Sequence, residues 1–161
     1  MKRAITTTAV YNGVEMPIYQ GDPETKMHRV TARWECSGVL PDGRCFELSV
    51  EVGFKFDGAS TPRWLWWLCG DPMEVPRVAA ALAHDWLYAA HVTDRKTADM
   101  VFRALCVRVG MGGIRSGAEY GALRIAGGKA WKSHGARDQI FARAHGAFAL
   151  EGEIMKGTDR Q

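Results

Sequence analysis

The sequence lacks paired cysteines, any apolar run long enough to cross a membrane, and a strong excess of charge of one sign. Its four cysteines, Cys36, Cys45, Cys69 and Cys106, form no CxxC pair, and no histidine is spaced with them as in a zinc knuckle. A small zinc module is therefore excluded. Reduced thiols are expected, with a Cys36–Cys45 disulfide across a hairpin as the alternative. The longest apolar runs, 64–69 and 78–83, fall far short of the roughly 18 residues that a spanning helix needs. Lys2 and Arg3 imitate the start of a secretion signal, but Ile5-Thr6-Thr7-Thr8 is too hydroxylated for its apolar core, so a cytoplasmic protein is expected. The net charge is only +3: residues 101–161 carry ten Lys/Arg against five Asp/Glu, and the first hundred carry eleven against thirteen. This mild asymmetry permits a phospholipid surface or nucleic acid as partner. A solvated basic helix face explains it equally well, and nucleic acid is the disfavoured partner.

With 47% hydrophobic and 24% charged residues in a chain of 161, the composition is that of a globular domain large enough to bury one core. No repeat, low-complexity segment or linker divides it, so residues 1–161 are read as a single α+β domain. An edge strand and a Gly/Pro/Asp-rich loop come first. Val30, Ala32, Trp34 and Cys36, then Phe46, Leu48, Val50, Val52, Phe54 and Phe56, alternate with polar neighbours on either side of Pro41-Asp42-Gly43. This period of two predicts an antiparallel hairpin layer over 28–57. A helical core is expected over 62–131, in several pieces. Pro62 opens a short helix over 63–69, Pro76 another to about residue 90, and Thr93 or Asp94 caps a third to about 109. A fourth runs over 114–131. The last helix is expected over 137–150, followed by a frayed tail to 161. Gly113, Gly117 and Gly121 recur every fourth residue, which predicts close helix packing there, because each glycine costs about 1 kcal/mol relative to Ala inside a helix.

The helix near residue 84 holds the first candidates for chemistry. His84 and Asp85 sit in an otherwise Ala-rich apolar run, where leaving them buried and unmatched would cost several kcal/mol. On a helix His84 shares a face with Tyr88, and Asp85 points about 100° away. Asp99 lies at the edge of the apolar stripe of the following helix. If the two helices pack antiparallel across their short connection, Asp99 reaches His84 and forms a dyad. A carboxylate on one imidazole nitrogen fixes the tautomer and leaves the other nitrogen to take a proton from water. Ser60 is the alternative nucleophile. Asp85 could hold a hard divalent cation together with backbone oxygens of a Gly-containing loop. The plain alternative is that these residues only bridge helices. A second cluster, Arg63, Trp64 and Trp67, is suited to a membrane interface, to a protein contact, or to the core.

Three motifs, Asp57-Gly58-Ala59-Ser60-Thr61-Pro62-Arg63, His84-Asp85-Trp86-Leu87-Tyr88 and Arg95-Lys96-Thr97-Ala98-Asp99-Met100-Val101-Phe102, resemble a family of uncharacterised phage and prophage proteins, domain-of-unknown-function family 1353, over about residues 45–130. That resemblance implies a phage or prophage origin and no established activity. The His-Asp-x-x-Tyr helix followed by Asp-x-x-Phe is also similar to secreted phospholipases A2 and to the phospholipase domain of parvovirus capsids. This likeness implies that His84 activates water, Asp99 and Tyr88 orient it, and Asp85 binds Ca²⁺ with carbonyls of the loop at Asp57 and Gly58 or at Gly70-Asp71. The disulfides that clamp the two helices in secreted phospholipases have no counterpart here. The expectation is a phage-encoded His/Asp hydrolase acting on a lipid or related ester, located in the host cytoplasm or incorporated in the virion. Its alternative is a non-catalytic virion or host-interaction protein that contacts phage structural proteins through Arg63, Trp64 and Trp67.

Overall fold

The computed structural model describes residues 9–57 and 75–151. An α+β architecture results, with short antiparallel strands followed by helices. Strands β1 (Val10–Tyr11) and β2 (Val14–Glu15) form a tight hairpin. Its turn residues Asn12 and Gly13 both take positive φ, as a type I′ turn requires. Strands β3 (Tyr19–Gly21), β4 (His28–Val30) and β7 (Lys55–Phe56) form one sheet. The other contains β5 (Trp34–Val39), β6 (Cys45–Val50) and β8 (Gly146–Leu150). The Asp42-Gly43 turn joins β5 to β6: Gly43 takes φ +90° and Asp42 Oδ1 accepts from the Arg44 amide. Phe46, Leu48 and Val50 point inward with polar or exposed neighbours between them, so the alternation read from the sequence marks the buried face.

The hairpin layer expected over 28–57 is split between those two sheets. The chain leaves the ladder after Val30 and again after Val50, where Gly53 takes φ +99°, so β4 pairs with β3 on one side and β7 on the other rather than β4 and β7 extending β5 and β6. Cys36 pairs in register with Leu48, and Cys45 with Val39. The two thiols are therefore not opposite one another, and both are free.

Helix α1 (Val78–Ala90) is the centre of the molecule, and all thirteen of its residues are buried. It packs against α2 (Arg95–Arg108), α4 (Ala136–Ala144) and strands β6 and β7. His91 ends α1 in the left-handed conformation at φ +48°. Asp94 then caps α2, accepting from the Thr97 amide at 3.0 Å and the Thr97 hydroxyl at 2.7 Å. Helix α3 (Gly113–Ser133) covers α2. No described helix is long and apolar enough to cross a membrane.

Two expectations are corrected. The last helix stops at Ala144, and 146–150 is strand β8 on the edge of β6. Ala-Phe-Ala-Leu favours a helix intrinsically, but the open β6 edge supplies hydrogen-bond partners, and Phe148 and Leu150 fall on one face. Gly146 permits that approach, because a Cβ there would collide with the Ser49 carbonyl and the Trp86 ring. The glycine row of α3 is the second correction: a Cβ at Gly113 or Gly121 would meet nothing within 4 Å, and one at Gly117 would meet only Arg103 at 3.8 Å. The close approach occurs at Gly127 instead. The helix expected over 63–69 lies outside the described residues, as does the tail beyond 151.

Candidate functional site

The α1–α2 packing brings His84, Tyr88 and Asp99 together. His84 Nε2 donates to Asp99 Oδ1 at 2.9 Å, and the Tyr88 hydroxyl donates to the same oxygen at 2.7 Å. An ionised carboxylate only accepts, so this contact places the His84 proton on Nε2. Arg124 of α3, absent from the sequence reading of the site, donates through Nη1 to Asp99 Oδ2 at 2.8 Å. Both carboxylate oxygens are thus engaged, and the contact ties α2 to α1 and α3. His84 and Asp99 are completely buried, whereas the Arg124 side chain is one-third exposed. Burial pushes the Asp99 carboxyl up, but the hydrogen bonds from His84, Tyr88 and Arg124 and the nearby positive charge more than offset it, so its pKa lies below the ordinary value. Tyr88 is displaced strongly upward, first by burial and then by its bond to Asp99, and stays a neutral donor.

The surroundings fix these groups. The His84 ring lies 4.0 Å from the Tyr88 ring and 5.3 Å from Phe102, and Tyr88 meets Trp131 edge to face at 5.1 Å. Arg95 reaches across to α3, donating to the carbonyls of Leu123 and Arg124 at 3.2 and 3.1 Å. Gly127 makes room for the Tyr88 hydroxyl: a Cβ at this position would stand 2.5 Å from that oxygen. The glycine row at Gly113, Gly117 and Gly121 drew the sequence reading away from this position, where only the Gly127-Gly128 pair inside the helix marks an approach, without naming what approaches. Arg124 gave no comparable signal, because a lone arginine on a polar helix face is ordinary.

Asp85 faces elsewhere, as its helical position predicts. It lines a cavity of about 820 Å³ together with Asp57, His134, Asp138, Lys129 and the aromatic rings of Phe54, Phe56 and Phe141. Asp85 is nearly buried, while Asp57 is exposed. His134, at the end of α3, lies 3.8 Å through Nδ1 from Asp138 Oδ2. Desolvation lowers its pKa more than Asp138 and Asp57 raise it, so the neutral imidazole is favoured. Among the described residues, His84 is in the wall of neither this cavity nor two further ones, beside Arg108 and beside Arg115. Hard carboxylate oxygens at Asp57 and Asp85 are of the kind that suits Ca²⁺, but among the described residues no group of three or more His, Cys, Asp or Glu is placed to hold a metal. Gly58, Ser60, Arg63, Trp64 and Trp67 lie outside the described residues.

A second buried charge pair ties α3 to the start of α1. Arg77 Nη2 lies 3.1 Å from Glu119 Oε2, with both side chains at most 5% exposed. This pair and the Asp99 network together anchor α3 over α1 and α2.

Comparison with known proteins gives one match. The family model described as Protein of unknown function (DUF1353) matches residues 36–123, which includes His84, Asp85, Tyr88 and Asp99 and stops just before Arg124. No curated protein and no solved structure matches the chain.

Proposed function

We propose that this chain, which belongs to the DUF1353 family of proteins of unknown function, is a phage-encoded hydrolase that cleaves a lipid or related ester with a water-activating His/Asp site of phospholipase-A2-like layout. The observation that carries the reading is the Asp99 carboxylate, whose Oδ1 receives both His84 Nε2 and the hydroxyl of Tyr88 one helical turn further on. With Nε2 committed to Asp99, Nδ1 is the nitrogen that would take a proton from attacking water, and Asp99 would stabilise the resulting imidazolium. Tyr88 and Arg124 hold the carboxylate in place for that task. Asp85 and Asp57 would hold Ca²⁺ with loop carbonyls, and the ion would polarise the ester carbonyl. The substrate's partner surface would be a phospholipid membrane, met in the host cytoplasm or from the virion.

The test is acid release from phosphatidylcholine vesicles by the purified chain, with and without Ca²⁺. Calcium-dependent release that Asp85→Ala abolishes is expected. Absence of both release and Asp85-dependent Ca²⁺ binding would end the hydrolase reading.

One observation supports a second reading, a non-catalytic virion or host-interaction module: His84 and Asp99 have no exposure at all, as suits a buried polar cross-link. Such a protein would assemble or bind its host partner normally with His84→Ala, provided that the variant folds.

A further inference from the structure

The five histidines differ in what their ring nitrogens meet. His84 is engaged by Asp99. His91 donates from Nε2 to the Trp131 carbonyl at 3.0 Å and accepts at Nδ1 from Gln139 at 3.3 Å, and His145 donates from Nδ1 to the Phe141 carbonyl. His28 stands among the rings of Tyr19 and Phe56. Among the described residues, His134 is the one histidine in the walls of these three cavities. Its side chain is 30% exposed, Asp138 stands by its Nδ1, and among the described residues its Nε2 has no hydrogen-bond partner. At 3.8 Å the Asp138 carboxylate acts on Nδ1 through its charge rather than a direct hydrogen bond; a negative charge on that side favours the proton on Nδ1 and leaves the Nε2 lone pair as the base.

Asp138 is itself fixed, because its Oδ2 accepts from the Gly135 amide at 3.0 Å in the cap of α4. The turn between α3 and α4 therefore places a carboxylate and an imidazole in the wall of a cavity that Phe54, Phe56, Phe141 and Asp85 also line. The stacked Phe54 and Phe141 rings, 6.3 Å apart, give the cavity an apolar wall against which an acyl group can lie.

We propose that His134 is the imidazole that exchanges a proton with a substrate in this cavity, an ester with an apolar acyl group, and that Asp138 is its positioning residue. The inference rests on the ester-hydrolysis reading and moves proton transfer from the buried His84 to the cavity wall. The His84–Asp99 pair then serves to hold α1 so that Asp85 stays in that wall. In the step, Nε2 takes a proton from water as the water oxygen bonds to the carbonyl carbon. The C–O bond to the leaving alcohol then breaks, and the same proton passes from Nε2 to the alcohol oxygen, giving a carboxylic acid and an alcohol.

The experiment measures turnover of para-nitrophenyl octanoate by the full chain and by His134→Gln, His134→Gly and His84→Gln, with circular dichroism to show that each variant is folded. The expected result is a loss of about a hundredfold or more in kcat for His134→Gln, and partial recovery of His134→Gly by added imidazole, which a purely structural role would not produce. Turnover of His134→Gln within twofold of wild type, with His84→Gln inactive, overturns this assignment and leaves the hydrolase reading standing. No turnover by the wild-type chain on this ester or on phospholipid vesicles defeats both.

Discussion

His84 and Asp85 are neighbours in the sequence, yet the fold gives them opposite surroundings. The His84 side of α1 is dry and cross-linked: one carboxylate on α2 serves an imidazole and a phenol from α1 and a guanidinium from α3. The Asp85 side borders a cavity whose wall mixes charged groups with phenylalanine rings. A buried polar network of this kind is worth most when complete, because each lost partner strands another group away from water. A cavity wall is the reverse, since its groups can change with little effect on stability and a large effect on what binds. The two sides of one helix should therefore respond differently to substitution.

The sharpest break is on the dry side. Asp99→Ala removes the shared acceptor and leaves Tyr88, His84 and Arg124 without it, so a loss of about 3–5 kcal/mol is expected, read by urea unfolding. The same carboxylate sets an acid limit. Its folded pKa lies below the ordinary 3.8, so its contribution is fully present above about pH 4 and is lost as pH falls through the depressed folded value. Acid unfolding profiles should show that dependence in the wild type and lack it in Asp99→Asn.

Gly127→Ala is next in size, at about 1–3 kcal/mol from forcing the Tyr88 ring aside. Tyr88→Phe alone should cost about 1 kcal/mol through its hydrogen bond. Combined, the two should cost less than their sum, because the phenyl ring lacks the oxygen that collides. A double-mutant cycle that gives simple additivity would show that Gly127 serves another purpose. The smallest effect is expected on the cavity side, where Lys129→Gln should move stability by no more than about 0.5 kcal/mol in the same urea measurement.

Much of the dry side was legible in the sequence. The His-Asp-x-x-Tyr spacing, the Asp94 cap and the short connection between helices were enough to bring Asp99 to His84, because each is a local rule with a fixed period. Arg124 and Gly127 were not legible as partners, since their contacts depend on how α3 crosses the α1–α2 pair. Strand β8 was missed for the same reason: its residues favour a helix, and only the open edge of β6 makes 146–150 a strand. The cavity was the least legible part. Its wall gathers residues from β7, α1, α3 and α4, and His134 acquires Asp138 and a cavity only after a turn of chain that reads as a polar break.

The claim that matters most is that the cavity beside Asp85 is where an ester is cleaved. Ala126 lines that cavity, and Ala126→Phe would fill part of it while leaving His84, Asp99 and His134 unsubstituted. Turnover of para-nitrophenyl octanoate by this variant, measured beside its melting temperature, is the most direct test. The account predicts that turnover falls at least tenfold while the variant stays folded at the assay temperature. Undiminished turnover in a folded Ala126→Phe protein would contradict it.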